Sequence, residues 1–114
     1  MKTKILNLTI GLLLIASFSV YGQEVKTETF KVFGNCGMCK TRIENAAKSV
    51  NGVSKADWNE ETKIVEVSFD ASKVKVDDIH NAIAKVGHDT EKVKANVDVY
   101  NALPGCCQYE RELK

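Results

Sequence analysis

Two cysteines three positions apart, Cys36 and Cys39, stand directly before a stretch with helical periodicity. This placement lets both sulfurs converge on one point, near the unpaired backbone N–H groups and the positive end of the helix dipole. Both features favour the thiolate over the thiol. Convergent anionic sulfurs are soft ligands, so the pair predicts binding of Cu(I), with Hg(II), Zn(II) and Cd(II) as other thiophilic cations.

The spacing of the pair allows two kinds of chemistry. Two protein ligands leave a metal open to exchange, which suits passing the ion on, whereas a structural zinc site is closed by four ligands. The same spacing also serves thiol–disulfide exchange and simple local disulfides. A thioredoxin-like protein needs a cis-proline loop facing its cysteines, and the only proline, Pro104, lies in the C-terminal tail. Metal binding is the main prediction, and redox exchange is the alternative.

The segments around the pair alternate between strand and helix patterns. Residues 27–33 and the hairpin runs 53–58 and 63–69 predict strands, and residues 93–99 alternate so strictly that they predict a last half-buried strand. The i, i+3, i+4, i+7 spacing of a helix occurs twice, at Ile43, Ala46, Ala47 and Val50 and at Ile79, Ala82, Ile83 and Val86.

The order β-α-β-β-α-β predicts an α+β fold of the ferredoxin-like type, a sandwich with two helices on one face of a four-stranded antiparallel sheet. In this topology the last strand runs away from the loop that carries Cys36. A tail that follows this strand must reverse over the length of the domain to reach the loop.

The motif GNCGMC at residues 34–39, followed by a helix within this order, resembles the heavy-metal-associated (HMA) domain. This family includes copper chaperones, modules of metal-pumping ATPases and periplasmic mercury-binding proteins. The resemblance spans roughly residues 28–99 and implies that Cys36 and Cys39 are the metal-binding thiols. Many members have a methionine two positions before the first cysteine. Gly34 stands there in this chain, so we expect a more mobile loop.

The resemblance also implies a function. It predicts a carrier or chaperone, not an enzyme, that binds Cu(I) or Hg(II) and passes it to a partner by thiolate ligand exchange. The expected partner is a metal-transporting membrane protein or another metal-accepting protein. The alternative function is a thiol–disulfide redox protein that uses the same pair.

Several neighbouring residues are weaker candidates. His88 follows the second predicted helix, in a loop that the family fold places near the cysteines, so it is either an auxiliary metal residue or an ordinary surface histidine. Met38 is expected to point outward or pack, and His80 to be solvated. Lys40 and Arg42 flank Cys39, where they offset a bis-thiolate charge, meet an acidic partner or simply remain exposed.

Cys106 and Cys107 lie in the tail, outside the minimal domain. Adjacent cysteines rarely bridge to each other, because their Cα atoms lie about 3.8 Å apart and disulfides need roughly 4.4–6.8 Å. The main prediction is a second soft-metal site formed by Cys106 and Cys107, either within one molecule or shared between two in a metal-bridged dimer. The alternatives are a return to the first site as extra ligands, and a redox or structural role.

The N-terminus has the layout of a secretory signal peptide, with Lys2 and Lys4 before an uncharged apolar run. The predicted organisation is a signal peptide at 1–22, an HMA domain at 23–100 and a cysteine-containing tail at 101–114. Cleavage after Gly22 predicts a periplasmic or otherwise exported protein that is not inserted in the membrane. Its 14 Lys and Arg against 15 Asp and Glu argue against a nucleic acid as partner.

Overall fold

The computed structural model describes residues 24–112, so the predicted signal peptide lies outside the described residues. The elements are β1 (Val25–Lys31), α1 (Gly37–Lys48), β2 (Val53–Trp58), β3 (Ile64–Asp70), α2 (Val76–Lys85), the short helix α3 (Val97–Asn101) and a 3-10 turn (Gly105–Cys107). Between residues 24 and 112, no helix is long and apolar enough to cross a membrane.

The sheet is antiparallel and has three strands in the order β1-β3-β2. The predicted hairpin is confirmed, with β2 and β3 paired through Ala56 and Val67. The strand β1 pairs with the other edge of β3 and sets Phe30 opposite Val65. Alternate residues of β3 are buried, as expected when one face of a sheet packs on the core.

Both predicted helices form, and their apolar stripes join the buried face of the sheet in one core. Ile43 and Ala47 of α1 and Ile79 and Ile83 of α2 are fully buried. Gly87 ends α2 with a φ of 110°, a left-handed conformation that glycine adopts without strain. The α+β class is therefore confirmed for the described residues.

The predicted fourth strand is wrong. Only an isolated bridge between Val32 and Thr90 forms beside β1. The Thr90 hydroxyl then accepts hydrogen bonds from the amides of Lys92 and Val93, which turns the chain away from the sheet. Residues 93–99 do alternate between apolar and polar types, but the chain leaves the edge of the sheet before these residues can pair with β1.

A helix takes the place of the strand's second half. The Asn96 side chain accepts hydrogen bonds from the amides of Asp98 and Val99 and so caps α3. As a result Val97, expected on the buried face of a strand, is 55% exposed. The capping signal of Asn96 is local, whereas the alternation needed a neighbouring strand, and the local signal prevails.

His80 is buried, which corrects the prediction of a solvated side chain. Its ring stacks on Phe30 with centroids 3.8 Å apart, and its Nδ1 lies 2.7 Å from the Thr90 hydroxyl. Burial lowers the pKa of His80, so the ring is neutral at pH 7. The residue widens the apolar face of α2 beyond the stripe that the spacing defines.

Candidate metal centre

The two thiols of the motif converge at the start of α1. Cys36 is the N-cap residue with extended backbone, and Cys39 is the third residue of the helix. Their Sγ atoms lie 3.5 Å apart. Cys39 is fully buried and accepts a hydrogen bond from the Asn35 amide, whereas Cys36 is half-buried. The helix start therefore brings the two sulfurs to one point, with one of them facing outward.

The two thiols differ in acidity. The backbone N–H of Cys39 favours the thiolate of Cys36 and lowers the pKa of Cys36 to about 7. Burial raises the pKa of Cys39 to about 11. Near neutral pH the pair thus offers one readily ionised thiol at the surface and one protonated thiol beneath it.

The tail thiols lie against the first pair, not apart from it. The Cys107 Sγ is 3.7 Å from the Cys36 Sγ, and the Cys106 Sγ is 3.9 Å from that of Cys107. The expectation that the tail leads away from the Cys36 loop was wrong, because it assumed a fourth strand. The chain instead leaves the sheet at Thr90, close to the strand end that precedes the cysteines. A second metal site at Cys106 and Cys107 stays a prediction. We call Cys36, Cys39, Cys106 and Cys107 the sulfur cluster.

The tail is held there by buried contacts that sequence reasoning missed. Arg111 forms a bidentate ion pair with Asp89, at 2.7 and 3.0 Å, with both side chains almost fully buried. The buried Tyr109 hydroxyl accepts a hydrogen bond from the Asp89 amide and donates one to the Gly87 carbonyl. Leu103 packs against Gly87. We call residues 97–112 the C-terminal clasp.

The charged residues beside the pair have different neighbours. Arg42 Nη1 lies 3.3 Å from the Cys107 Sγ, where a guanidinium offsets negative charge on sulfur. Lys40 instead pairs with Glu44 and Asp57, at 2.6 and 2.8 Å. Of the two expected basic residues, only Arg42 therefore touches the sulfur cluster.

Met38 is exposed, as expected, but it does not stand alone. Its Sδ lies 3.7 Å from the Sγ of the exposed Cys106. The outer side of the sulfur cluster thus presents a thioether and a thiol together.

His88 is fully buried, which excludes an ordinary surface histidine. Its Nδ1 lies 2.8 Å from the Phe33 carbonyl, so this nitrogen carries the proton and donates it. Burial lowers the pKa of His88, and its Nε2 has no hydrogen-bond partner among the described residues. The contact with Phe33 ties the His88 loop to the segment before the cysteines. An auxiliary role toward a metal stays a prediction.

Gly34 lies against the indole of Trp58, beneath the cysteine loop. A Cβ at Gly34 would lie 3.1 Å from both Trp58 Cη2 and Cys39 Cβ. Trp58 is fully buried, and its Nε1 donates a hydrogen bond to the Val32 carbonyl. The glycine therefore makes room for a large side chain under the loop.

The donor atoms of the site are sulfurs. Between residues 24 and 112, the one group of three or more Cys, His, Asp or Glu ligand atoms that lie within 4.8 Å of one another consists of Cys36, Cys106 and Cys107. Thiolates select soft ions such as Cu(I) and Hg(II) over Mg(II) or Ca(II), which prefer oxygen. The chemistry that this arrangement supports is soft-metal coordination.

Comparison with known families identifies the domain. The sequence profile of the heavy-metal-associated domain matches residues 29–89, more than half of the chain. The chain belongs to the HMA family. The matched residues contain Cys36, Cys39 and His88, whereas Cys106 and Cys107 lie beyond them. The C-terminal clasp thus lies beyond the residues that the family profile matches.

Relatives of this HMA chain include metal-binding proteins of several kinds. The copper chaperone CopZ of Staphylococcus aureus is 42% identical over 55 residues, 48% of this chain and 81% of CopZ. The crystal structure of oxidised MerP from Ralstonia metallidurans is 33% identical, with a TM-score of 0.57 over 60% of this chain and 96% of MerP. The Cu(I)-loaded N-terminal domain of a potential copper-translocating P-type ATPase from Bacillus subtilis is 26% identical. Its TM-score is 0.55, over 59% of this chain and 85% of that domain.

Proposed function

We propose that this protein is a soft-metal carrier that binds Cu(I), with Hg(II) as the alternative ion, through Cys36 and Cys39. The observation that carries the proposal is the 3.5 Å approach of these two sulfurs at the start of α1, in a domain of the HMA family. The half-exposed Cys36 meets an incoming ion first, and the buried Cys39 completes the pair. Zn(II) and Cd(II) are weaker candidates for the same thiolates.

Transfer to a partner requires ligand exchange and no catalytic residue. An incoming thiolate from the partner binds the ion and displaces one cysteine of the carrier, which then recovers a proton from solvent. Similarity to CopZ supports a chaperone role, and similarity to a domain of a copper-translocating ATPase supports a metal-transporting membrane protein as the partner. We infer that the protein is not an enzyme.

The proposal is tested by metal uptake of the reduced protein. Wild-type protein should bind Cu(I) stoichiometrically against a competing chelator, and the double substitution Cys36→Ser with Cys39→Ser should abolish this binding. Circular dichroism of the double variant provides the folding control. Tight binding by a folded double variant would refute the assignment.

The redox alternative is tested on the same samples. A carrier should show no catalysed reduction of a small disulfide substrate, whereas a thiol–disulfide oxidoreductase should turn it over. Catalytic turnover that depends on Cys36, without stoichiometric metal binding, would favour the alternative function.

We also propose that the protein acts outside the cytoplasm. Residues 1–22 have the charge and apolar pattern of a secretory signal peptide, and the proposal rests on that pattern. N-terminal sequencing of protein from the exported fraction should give Gln23 as the first residue. Retention of the full N-terminus in the cytoplasmic fraction would contradict it.

A further inference from the structure

We infer that Cys107 is a third thiolate ligand of the metal held by Cys36 and Cys39, so that the C-terminal clasp completes the site instead of forming another. This inference rests on the proposed function and extends it to a residue beyond the part that the family profile matches. The inference makes three requirements of Cys107. Its sulfur must lie at a distance from Cys36 that suits a shared ion, a positive charge must be near, and contacts must hold the residue in place.

The sulfur distances fit a shared ion. With metal–sulfur bonds of about 2.3 Å, a trigonal site separates its sulfurs by about 4.0 Å, and a linear two-sulfur site by about 4.6 Å. Cys36 Sγ lies 3.5 Å from Cys39 Sγ and 3.7 Å from Cys107 Sγ. Both separations are closer to the trigonal value, so small outward shifts would admit the ion beside Cys36. Cys39 does not belong to the group of sulfurs that all lie within 4.8 Å of one another, so the Cys39 and Cys107 sulfurs must also move towards each other when they share the ion.

The surroundings of Cys107 favour its thiolate once a metal is bound. Three thiolates with one Cu(I) carry a net charge of −2, or −1 with Hg(II), and Arg42 places a guanidinium 3.3 Å from the Cys107 sulfur. On binding, the Cys107 thiol loses its proton to solvent as the metal–sulfur bond forms. The cation then offsets charge that would be costly at a buried position.

Cys107 is positioned by backbone and side-chain contacts on both sides. Its amide donates to the Pro104 carbonyl at 2.8 Å, and its carbonyl accepts from the Tyr109 amide at 2.9 Å. The Tyr109 ring is buried and its hydroxyl is hydrogen-bonded to Gly87 and Asp89. A thiol held in this way is preorganised for a ligand role.

Cys106 is the competing candidate for the third ligand. It is the adjacent residue, has the same chemistry and lies in one group with Cys36 and Cys107. It is exposed, however, and its closest sulfur neighbours are Met38 and Cys107. If the ligand role belongs to the buried position, Cys107→Ser and Cys106→Ser should behave differently although they differ by one place in the chain.

The experiment combines Cu(I) competition with X-ray absorption on the reduced protein. Wild-type protein should bind one Cu(I) per chain with three sulfur neighbours. Cys107→Ser should bind one Cu(I) with two sulfurs and at least about tenfold more weakly, the lower end of the loss expected when even an outer-shell partner of a metal site is removed. Because Cys107 and not Cys106 is inferred to be the third ligand, Cys106→Ser should still show three sulfurs, whereas loss of a sulfur in Cys106→Ser would overturn the inference.

Several outcomes would overturn the inference. Two sulfurs or two ions per wild-type chain would do so, as would equal losses in the two serine variants. Because Cys107 is buried, the variants are compared only after unfolding measurements on the apo proteins. If Cys107→Ser does not fold, Cys106→Ser decides the matter, because three sulfurs in that variant support Cys107 as the third ligand and two sulfurs overturn the inference. Two-sulfur binding that still needs Cys36 and Cys39 would leave the proposed function intact, whereas absence of binding would refute that function itself.

Discussion

At the scale of single residues, the loop that carries the thiols depends on the packing of the Trp58 side chain against Gly34. The indole occupies the volume next to Gly34, beneath the loop, and hydrogen-bonds the Val32 carbonyl. The sequence predicted a mobile loop because Gly34 replaces the methionine found in many HMA domains. The Trp58 indole fills the space that a side chain at position 34 would occupy, so the small glycine and the large tryptophan fit together.

This packing predicts that Gly34→Ala destabilises the protein. The added methyl group would lie 3.1 Å from Trp58 and Cys39, both fully buried and unable to move freely. Overpacking of a core costs about 1–3 kcal/mol. Replacing glycine also reduces the entropy of the unfolded chain, which offsets about 0.4–1 kcal/mol. Urea unfolding of the apo protein should show the net loss.

Gly37→Ala is the matched control for this substitution. A Cβ at Gly37 would meet nothing within 4 Å, and the residue is the first of α1. The free energy of unfolding of the Gly37→Ala variant should equal that of wild-type protein or be slightly higher. Equal effects of the two alanines would show that Trp58 does not constrain the loop.

At the scale of elements, the C-terminal clasp begins within the segment that was expected to form a fourth strand. Its position depends on the ion pair between Asp89 and Arg111, whose side chains are 1% and 7% exposed. The Asp89 carboxylate also accepts a hydrogen bond from the Ala95 amide, and Arg111 donates a hydrogen bond to the Ala95 carbonyl. One buried carboxylate therefore fixes both the turn after the sheet and the end of the tail.

Arg111→Met should destabilise the protein strongly. Removing one partner of a buried ion pair leaves an uncompensated charge and costs about 3–5 kcal/mol. The variant should also expose Cys107, so a thiol reagent should label this cysteine faster than in wild-type protein. Lys92→Met is the control, because its ion pair with Asp77 is exposed and such pairs contribute about 0–1 kcal/mol. Similar losses in both variants would contradict the role of the clasp.

The same pair makes stability depend on pH. Burial alone would raise the pKa of Asp89, but hydrogen bonds from Arg111 and the Ala95 amide hold this pKa below its ordinary value. Such a group contributes stability that is complete above its unfolded pKa of about 3.9 and is lost as pH falls through the folded value. The difference in the free energy of unfolding between wild-type and Arg111→Met proteins should therefore become smaller at acidic pH. If this difference stays constant from neutral to strongly acidic pH, Asp89 is not its cause.

At the scale of the whole molecule, we expect the core to form without a metal. Seventeen buried residues from the sheet, both long helices and the clasp form one cluster, and it includes Ile43, Trp58, Val67 and Ile83. This distinguishes the domain from zinc fingers, which are unfolded without their ion. A bound ion then adds stability only through its affinity for the folded state.

Reduced protein treated with a chelator should accordingly remain folded. We expect dispersed amide shifts in its NMR spectrum and a cooperative thermal transition, with a higher transition temperature when Cu(I) is added. The variant that lacks Cys36 and Cys39 serves as control, since its transition should not respond to Cu(I) in the same way. Collapse of the shift dispersion on chelation would contradict a metal-independent core.

The elements whose signals are local could be predicted from the residues alone. The period-3.6 stripes gave α1 and α2, the alternation around a polar turn gave the hairpin of β2 and β3, and the motif at residues 34–39 gave the two thiols at a helix start. These patterns depend on each segment having one buried face, which is written in the residues themselves.

The path of the C-terminal tail and the set of thiols that meet depend on long-range contacts, which the residue patterns do not record. The alternation at residues 93–99 is compatible with a half-buried strand and also with a segment that leaves the sheet. The reason is that the pattern records burial and does not record a pairing partner. Thr90 and Asn96 turn the chain off the sheet, and Asp89 holds Arg111 across 22 positions. That long-range ion pair brings Cys107 to within 3.7 Å of Cys36, a contact 71 positions apart that no local spacing encodes.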